Sequence, residues 1–437
     1  MHALTRLAAL TAATCLTIAG LAAPSGADPS APQPARADTW VRTPGPFTGY
    51  GFDVCAAPDQ ATMDAWRTSS PFAAVGIYTG GTNRLCEQPN LTADWVRTQV
   101  AAGWHLMPIH VGPQAACTTY ESVMASDRPT AEAQGRLEAA AAVSSVQALA
   151  IGTGSTIYYD LEDYDITDQA CRQAALSFLS GWTQQLHAQG YRSGVYSNIA
   201  AAITSLDLAN NVSRGSYAMP DDIWFAWGNG VADTEASTWV ATSEWDDHER
   251  AHQYLLDVEQ TYGGVTQTID LNWVDVGGGS TAPKDTKGCR GVQVDQRKYP
   301  SLRPGSRSKH VEALQCLLRE QHFGKPATSG RYDDRTARAV RKAQRKLGLR
   351  VTGKVTRKTW TALHARGTQP LLKVGSTGEP VRRLQRALTA TLGKAVRIDG
   401  VMSVRTRAAV SRFQQREHLA PTGNVDIVTW ERLASGG

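Results

Sequence analysis

Between residues 48 and 276, short apolar runs alternate with longer amphipathic stretches. The runs Tyr50–Val54, Ala73–Tyr78, His105–Val111, Ile157–Leu161, Tyr191–Tyr196, Ile223–Trp227, His252–Leu256 and Thr268–Asn272 are rich in β-branched and aromatic residues, as buried strands are. Most gaps between them hold helically spaced apolar positions, as in Leu91–Ala101, Ala131–Ala148 and Asp168–Gln189. This alternation predicts parallel βα units. Eight strands in roughly 230 residues predict a closed (β/α)8 barrel.

After residue 283 the period changes. Val311, Leu314, Gln315 and Leu318 share one helix face, Val340, Ala343 and Leu347 a second, and Thr359–Leu363 suits a short third helix. The whole pattern recurs 70 residues later without a gap, as in Pro300/Pro370, Leu302/Leu372, Gly305/Gly375, Gln315/Gln385, Gly330/Gly400, Gln344/Gln414, Gly353/Gly423 and Trp360/Trp430. The expected architecture is therefore an α/β barrel followed by two small three-helix all-α domains. The bounds are 48–276 for the barrel, 277–298 for a linker that opens Gly277-Gly278-Gly279-Ser280, and 299–366 and 370–435 for the repeats.

The first 27 residues place Arg6 before an apolar stretch and then small residues, the pattern of a secretory signal peptide. Cleavage fits after Ala27 or after Ala37, and residues 28–47 read as a Pro/Ala-rich leader. No other stretch is long and apolar enough for a membrane anchor, so the expectation is a secreted protein, extracellular or wall-associated. Setting Cys15 aside leaves six cysteines, and an even number in an exported chain favours disulfides over a metal site. Pairing within each part joins Cys289 to Cys316. Cys55, Cys86, Cys117 and Cys171 allow three connectivities, of which Cys55–Cys86 with Cys117–Cys171 is preferred.

The formal charge of +5 conceals a split. Residues 1–283 hold 12 Lys/Arg against 29 Asp/Glu, net −17, and residues 284–437 hold 33 against 11, net +22. A basic half of this strength faces an anionic partner.

Candidate chemistry centres on Ile157-Tyr158-Tyr159-Asp160-Leu161-Glu162, a buried strand running into acids. Side chains alternate along a strand, so Asp160 and Glu162 share a face. Two adjacent carboxyls split into one acid and one base, the equipment for glycosidic cleavage. A solvated acidic loop is the plain alternative. In a barrel, Asp53 at the end of the first strand and Asp270 on the last would converge on the same mouth.

The barrel segment resembles the glycoside hydrolase family 25 muramidases in five motifs taken in order: Gly51-Phe52-Asp53-Val54, Asp160-Leu161-Glu162, Trp224-Phe225-Ala226-Trp227, Gln253-Tyr254 and Asp270-Leu271-Asn272. It more closely resembles a divergent glycoside-hydrolase-like domain of secreted bacterial proteins, through Gly51–Cys55, Tyr78-Thr79-Gly80-Gly81 and His252-Gln253-Tyr254. The resemblance implies Glu162 as general acid, Asp160 as stabiliser or nucleophile, and Asp53 and Asp270 as tuning groups. It offers Tyr158, Trp227, Gln253 and Tyr254 for substrate binding, although a core role serves each aromatic as well. No cofactor or metal is implied. The repeats resemble peptidoglycan-binding domains of bacterial wall hydrolases, which implies peptidoglycan and anionic wall polymers as partners.

Three rival readings carry different predictions. A barrel without catalysis would only bind wall glycan. His248-Glu249-Arg250-Ala251-His252 spells the zinc-peptidase pattern, which requires both histidines one turn apart on a helix. Nucleic-acid binding by Arg341, Lys342, Arg345 and Lys346 fits neither export nor the lack of interleaved exposed aromatics.

Overall fold

The computed structural model describes residues 40–283, 289 and 291–437. The signal peptide, both cleavage sites, Cys15 and most of the leader lie outside the described residues.

The first part runs β1 (Phe47–Asp53), α1 (Gln60–Ser69), β2 (Ala74–Gly80), α2 (Ala93–Ala101), β3 (His105–His110), α3 (Arg128–Ala148), β4 (Thr156–Asp160), α4 (Gln169–Ala188), β5 (Arg192–Asn198), α5 (Thr204–Val212), β6 (Asp222–Ala226), β7 (Arg250–Tyr262) and β8 (Val265–Val276). Aspartates begin several helices by accepting backbone N–H bonds: Asp59 for α1, Asp127 for α3 and Asp168 for α4. The eight strands close into a barrel in sequence order. Each expected strand overlaps an observed one, but the expected run of parallel units stops at β7. Strand β8 returns through Gly263-Gly264 and lies antiparallel to both β7 and β1. A two-residue turn allows only an antiparallel return, whereas a parallel one needs a long crossover.

Period-two alternation sorts the inward side chains into layers. Lowest are Thr156, Arg192 and Asp222, where Asp222 accepts from Arg192 at 3.0 Å and from Thr156 at 2.9 Å. Above them Tyr158 and Trp224 meet edge-to-face, with ring centroids 5.5 Å apart. The top layer holds Asp53, Asp160, Tyr196, Gln253, Asn272 and Asp270. Outside the barrel, Phe52, Trp66, Phe72, Phe178 and Trp182 belong to the main core that joins strands to helices.

The second part contains α6 (Lys309–Glu320), α7 (Asp334–Lys346), α8 (Arg357–Ala365), α9 (Glu379–Leu392), α10 (Val404–Arg416) and α11 (Ile427–Ala434), three per repeat. The repeated polar residues have a structural use. The buried Gln315 amide donates to the Arg331 carbonyl and accepts from Gly330 N, and Gln385 does the same with Val401 and Gly400. Trp360 donates to the Pro300 carbonyl at 2.8 Å, as Trp430 does to Pro370. The repeated Leu, Val and Trp positions form the two small cores.

Residues Trp40–Gly437 make one compact unit. The second repeat sits against the end of the barrel where β1, β2 and β3 begin. Lys373, almost wholly buried, donates to the Phe72 carbonyl at 2.8 Å and lies 5.4 Å from the Trp104 ring, and Asn424 donates to the Ser70 carbonyl at 2.9 Å. Composition alone reads Gly277–Pro283 as flexible, but Ser280 exchanges two hydrogen bonds with Thr48 and Arg382 holds the Pro283 carbonyl. Three disulfides, Cys55–Cys86, Cys117–Cys171 and Cys289–Cys316, match the preferred pairing.

Gly194 on β5 makes room for the Tyr158 ring, because a Cβ there would stand 2.3 Å from its Cδ1. Gly194→Ala should therefore destabilise the barrel by roughly 1–3 kcal/mol through overpacking. Denaturant melts would show it, and an unchanged midpoint would contradict the layered interior.

Candidate active site

Strand direction places the site. The carboxyl ends of β1, β2 and β4 and the opposing start of β8 surround a cleft of about 740 Å³ lined by Asp53, Tyr78, Tyr120, Asp160, Glu162 and Asp270. The antiparallel register sets Asp53 directly opposite Asp270. Asp160 is the last residue of β4, and the chain stays paired one residue further through Leu161 N to the Tyr196 carbonyl at 3.0 Å. That extension turns Glu162 into the cleft beside Asp160.

Hydrogen-bond polarity fixes the floor. Trp224 Nε1 is a donor only, so its 2.8 Å bond obliges Asn272 to present Oδ1 to it and Nδ2 to Asp53, at 2.6 Å. Tyr196 donates to Gln253 Oε1 at 2.8 Å, which leaves Gln253 Nε2 facing Asp53 at 3.2 and 3.3 Å and Asp270 at 3.2 Å. Gln114 holds the adjoining wall, donating to the Asp160 carbonyl at 2.9 Å and accepting from Glu162 N at 2.8 Å. One oxygen of this floor stands apart: Asp160 Oδ1 is buried and has no hydrogen-bond partner.

All four carboxyls are pushed up. Burial raises Asp53 to about 7, with Asp270 adding repulsion against the opposing bonds from Asn272 and Gln253. Burial, then the charges of Glu162 and Asp53, hold Asp160 well above the usual carboxylate range. Glu162 is raised by burial and then by Asp163 and Asp270, and Asp270 by burial and then Asp257. Burial and the surrounding acids also keep the Tyr78 and Tyr196 phenols protonated. Such a cluster retains a proton near neutral pH, so it can act as an acid.

Residues 64–274 match the Rv2525c-like, glycoside hydrolase-like domain, and residues 307–363 and 377–433 each match the putative peptidoglycan binding domain. The chain carries a glycoside hydrolase-like domain and two peptidoglycan-binding domains. The first match begins after Asp53, although β1 completes the same barrel. Among solved structures, an uncharacterized B. stearothermophilus protein is 19% identical, with 52% of this chain and 95% of that one covered and a TM-score of 0.36. The Clostridium perfringens spore cortex lytic enzyme SleM is 13% identical, with 53% and 68% covered and a TM-score of 0.34. No curated protein gives a significant match.

Within the glycoside hydrolase-like domain, Asp53, Asp160, Glu162 and Asp270 converge and Gln253 joins them, but the aromatic candidates do not. Tyr158 is fully buried one layer below, because it points inward two residues before Asp160. Tyr254 faces away from Gln253 and lies edge-on to His252, 6.1 Å between centroids. Trp227 stacks on the same His252 ring and is not among the residues lining the cleft. The phenols that do line it are Tyr78 and Tyr120. Tyr78 was findable by the rule that exposed Asp53, a polar group at a strand's carboxyl end. Tyr120 lies in a loop and left no periodic signal.

The zinc-peptidase pattern fails on local structure. His252 lies within strand β7, with its ring nitrogens 2.7 and 2.8 Å from the carbonyls of Asp233 and Trp227. His248 precedes that strand in a left-handed conformation and pairs with Asp275 at 2.7 Å. The helical turn that would present both histidines to one ion is not formed, and among the described residues no set of three or more His, Cys, Asp or Glu is placed to hold a metal.

The raised Asp53 sets a pH dependence. Its folded pKa of about 7 exceeds the ordinary 3.8, so the folded barrel holds a proton the unfolded chain has released. Stability should fall as pH rises through that window and stay low above it. Asp53→Asn should raise stability at pH 8 by roughly 1–3 kcal/mol and change little near pH 4, since removing the charge relieves the penalty while weakening its bonds. Melting curves across pH test this, and an equal loss at both pH values would sink it.

Proposed function

We propose that the protein is a peptidoglycan-directed glycoside hydrolase of muramidase type, acting at the wall outside the cell. The reading is carried by one observation: Asp53, Asp160, Glu162 and Asp270, from three distant parts of the sequence, meet in one cleft of a chain with two peptidoglycan-binding domains. The cleft is an open trough of about 740 Å³, in the size range of a pocket for a sugar-sized ligand. The three disulfides suit an oxidising compartment, and no described helix is long and apolar enough to cross a membrane.

In this reading Glu162 is the general acid. It is the less buried member of the central pair, so its proton can reach the leaving oxygen of a glycan in the cleft. Asp160 is buried, with a free Oδ1, and burial followed by the charges of Glu162 and Asp53 holds its carboxyl well above the usual range. Positive charge developing on the sugar favours the Asp160 carboxylate, so the one proton the pair retains sits on Glu162 and passes to the leaving oxygen while Asp160 stabilises the transition state. It serves an oxazolinium-like intermediate or acts as nucleophile. Asp53 and Asp270, tied through Gln253, crowd the pair, Asp53 raising Asp160 and Asp270 raising Glu162.

Digestion of purified sacculi tests the assignment. Glu162→Gln should lower the release of new reducing ends by roughly 10²- to 10⁴-fold while the protein still sediments with sacculi. Muropeptides identified by mass spectrometry should end in reducing sugars, not new amino termini. Equal release by both proteins would remove Glu162 from its role. Sedimentation without cleavage by either would leave a protein that only binds wall glycan.

A second expectation concerns pH. Glu162, raised above the ordinary carboxyl range, loses its proton as pH climbs, and Asp53 ionises below the pair near 7, so cleavage should decline on the alkaline side. A rate that keeps rising to pH 9 would contradict it.

A further inference from the structure

The two repeats share one fold but present opposite surfaces. In the second, the loops before α9 and α11 are covered by the barrel through Lys373, Val374 and Asn424, all buried. At the equivalent positions the first repeat has Arg303, Pro304 and Lys354, all exposed. Charge follows the same division. Residues 299–366 hold 17 Lys/Arg against 4 Asp/Glu, net +13, and residues 370–435 hold 11 against 5, net +6. Much of the cationic surface of the second repeat is already engaged: Arg386 bonds to Asp295 and Glu379, Arg383 to the carbonyls of Arg366 and Thr368, and Arg407 lies over Tyr50.

In the first repeat the charge is concentrated on a groove of about 490 Å³ between α7 and the loop 323–326. It is lined by Lys325, Arg335, Arg338, Arg341, Lys342 and Arg345. The buried residues of α7 are Thr336, Ala337, Ala339, Val340, Ala343 and Gln344, and Arg335, Arg338, Lys342 and Arg345 are exposed around Ala339, which the groove covers. Spacings of three and four residues set a cation about every 5 Å along the axis. Among the described residues none of the six forms an ion pair, and only Lys342 has a hydrogen bond of its own, to the His322 carbonyl. Six cations in one concave surface, of which Arg335 also acts on the Asp333 carboxylate, repel one another unless an anion lies between them. At the matching places the second repeat has Ala395, Arg405, Ala408, Ser411, Arg412 and Gln415, so the fold does not require the charge.

We propose that this groove binds a phosphodiester polymer of the cell envelope, and that the second repeat is a fixed mount joining the groove to the barrel. Four of the six cations are arginines, whose planar donor forks grip phosphate oxygens two at a time. A linear polyanion also matches a row of cations better than a single carboxylate does. The proposal rests on the wall-directed reading only for where such a polymer is met, since binding here needs no cleavage.

The test uses the full chain and poly(glycerol phosphate), with polyglutamate and a single-stranded oligonucleotide as comparators, followed by fluorescence anisotropy. Poly(glycerol phosphate) should bind, more weakly as salt rises. The variant Lys325→Ala/Arg338→Ala/Arg341→Ser/Arg345→Gln takes the residues that the second repeat already carries in this fold. It should lose about tenfold or more in affinity. Arg405→Ala/Arg412→Ala in the second repeat should lose less than about twofold, which a shared net-charge effect would not give. Unchanged binding by the fourfold variant overturns the proposal, as do equal losses in both variants. Polyglutamate binding as tightly, or the oligonucleotide more tightly, overturns the phosphodiester assignment. Cleavage of sacculi stripped of phosphate polymers, with and without the fourfold variant, separates failure here from failure of the cleavage reading.

Discussion

The antiparallel pairing of β1 with β8 is the constraint on which the site depends. It closes the barrel, and in the same step it sets Asp53 opposite Asp270 on the inward face. Two carboxyls so placed repel, and a barrel interior gives them little solvent. What makes the arrangement tolerable is a pair of amides with fixed orientation. The Trp224 indole and the Tyr196 phenol occupy the oxygens of Asn272 and Gln253, so both NH2 groups must turn to the acids. A core ring and a strand phenol, neither titrating in the working range, thereby set the direction of the donors beneath the cleft.

The two ends of the barrel perform different tasks because strand polarity separates them. The carboxyl ends gather acids around a cleft, whereas the amino ends of β1, β2 and β3 receive the second repeat. Lys373 is an extreme case of this docking. Burial pushes its amine well below the ordinary lysine range, and the contacts offered are two backbone carbonyls and the face of Trp104. Carbonyl dipoles and an aromatic face suit a cation but do not neutralise it.

Much of this was legible in one dimension. The gapless recurrence of Gln315/Gln385, Gly330/Gly400 and Trp360/Trp430 marked the repeats: the glutamine and tryptophan side chains bond to backbone carbonyls, and each glycine, at positive φ, donates its N–H to the glutamine. Asp53, Asp160, Glu162 and Asp270 were findable because a barrel gathers the polar residues at its strand ends into one mouth, although a solvated acidic loop has the same local pattern. The aromatic candidates were not decidable in this way. Tyr158 and Tyr254 satisfy the same local pattern as Tyr78, and only the stacking of layers tells which ring lies under the floor, outside the wall or in the cleft.

The sequence by itself determined the strand and helix periods, the division into an acidic and a basic half, the duplication, and the face shared by Asp160 and Glu162, since each follows from local spacing. The tertiary structure alone decided the pairing of Asp53 with Asp270, the layer in which each tyrosine lies, and the burial of Lys373 where its counterpart Arg303 is exposed. These depend on which surfaces meet across tens to hundreds of residues, and no window of local periodicity contains that information.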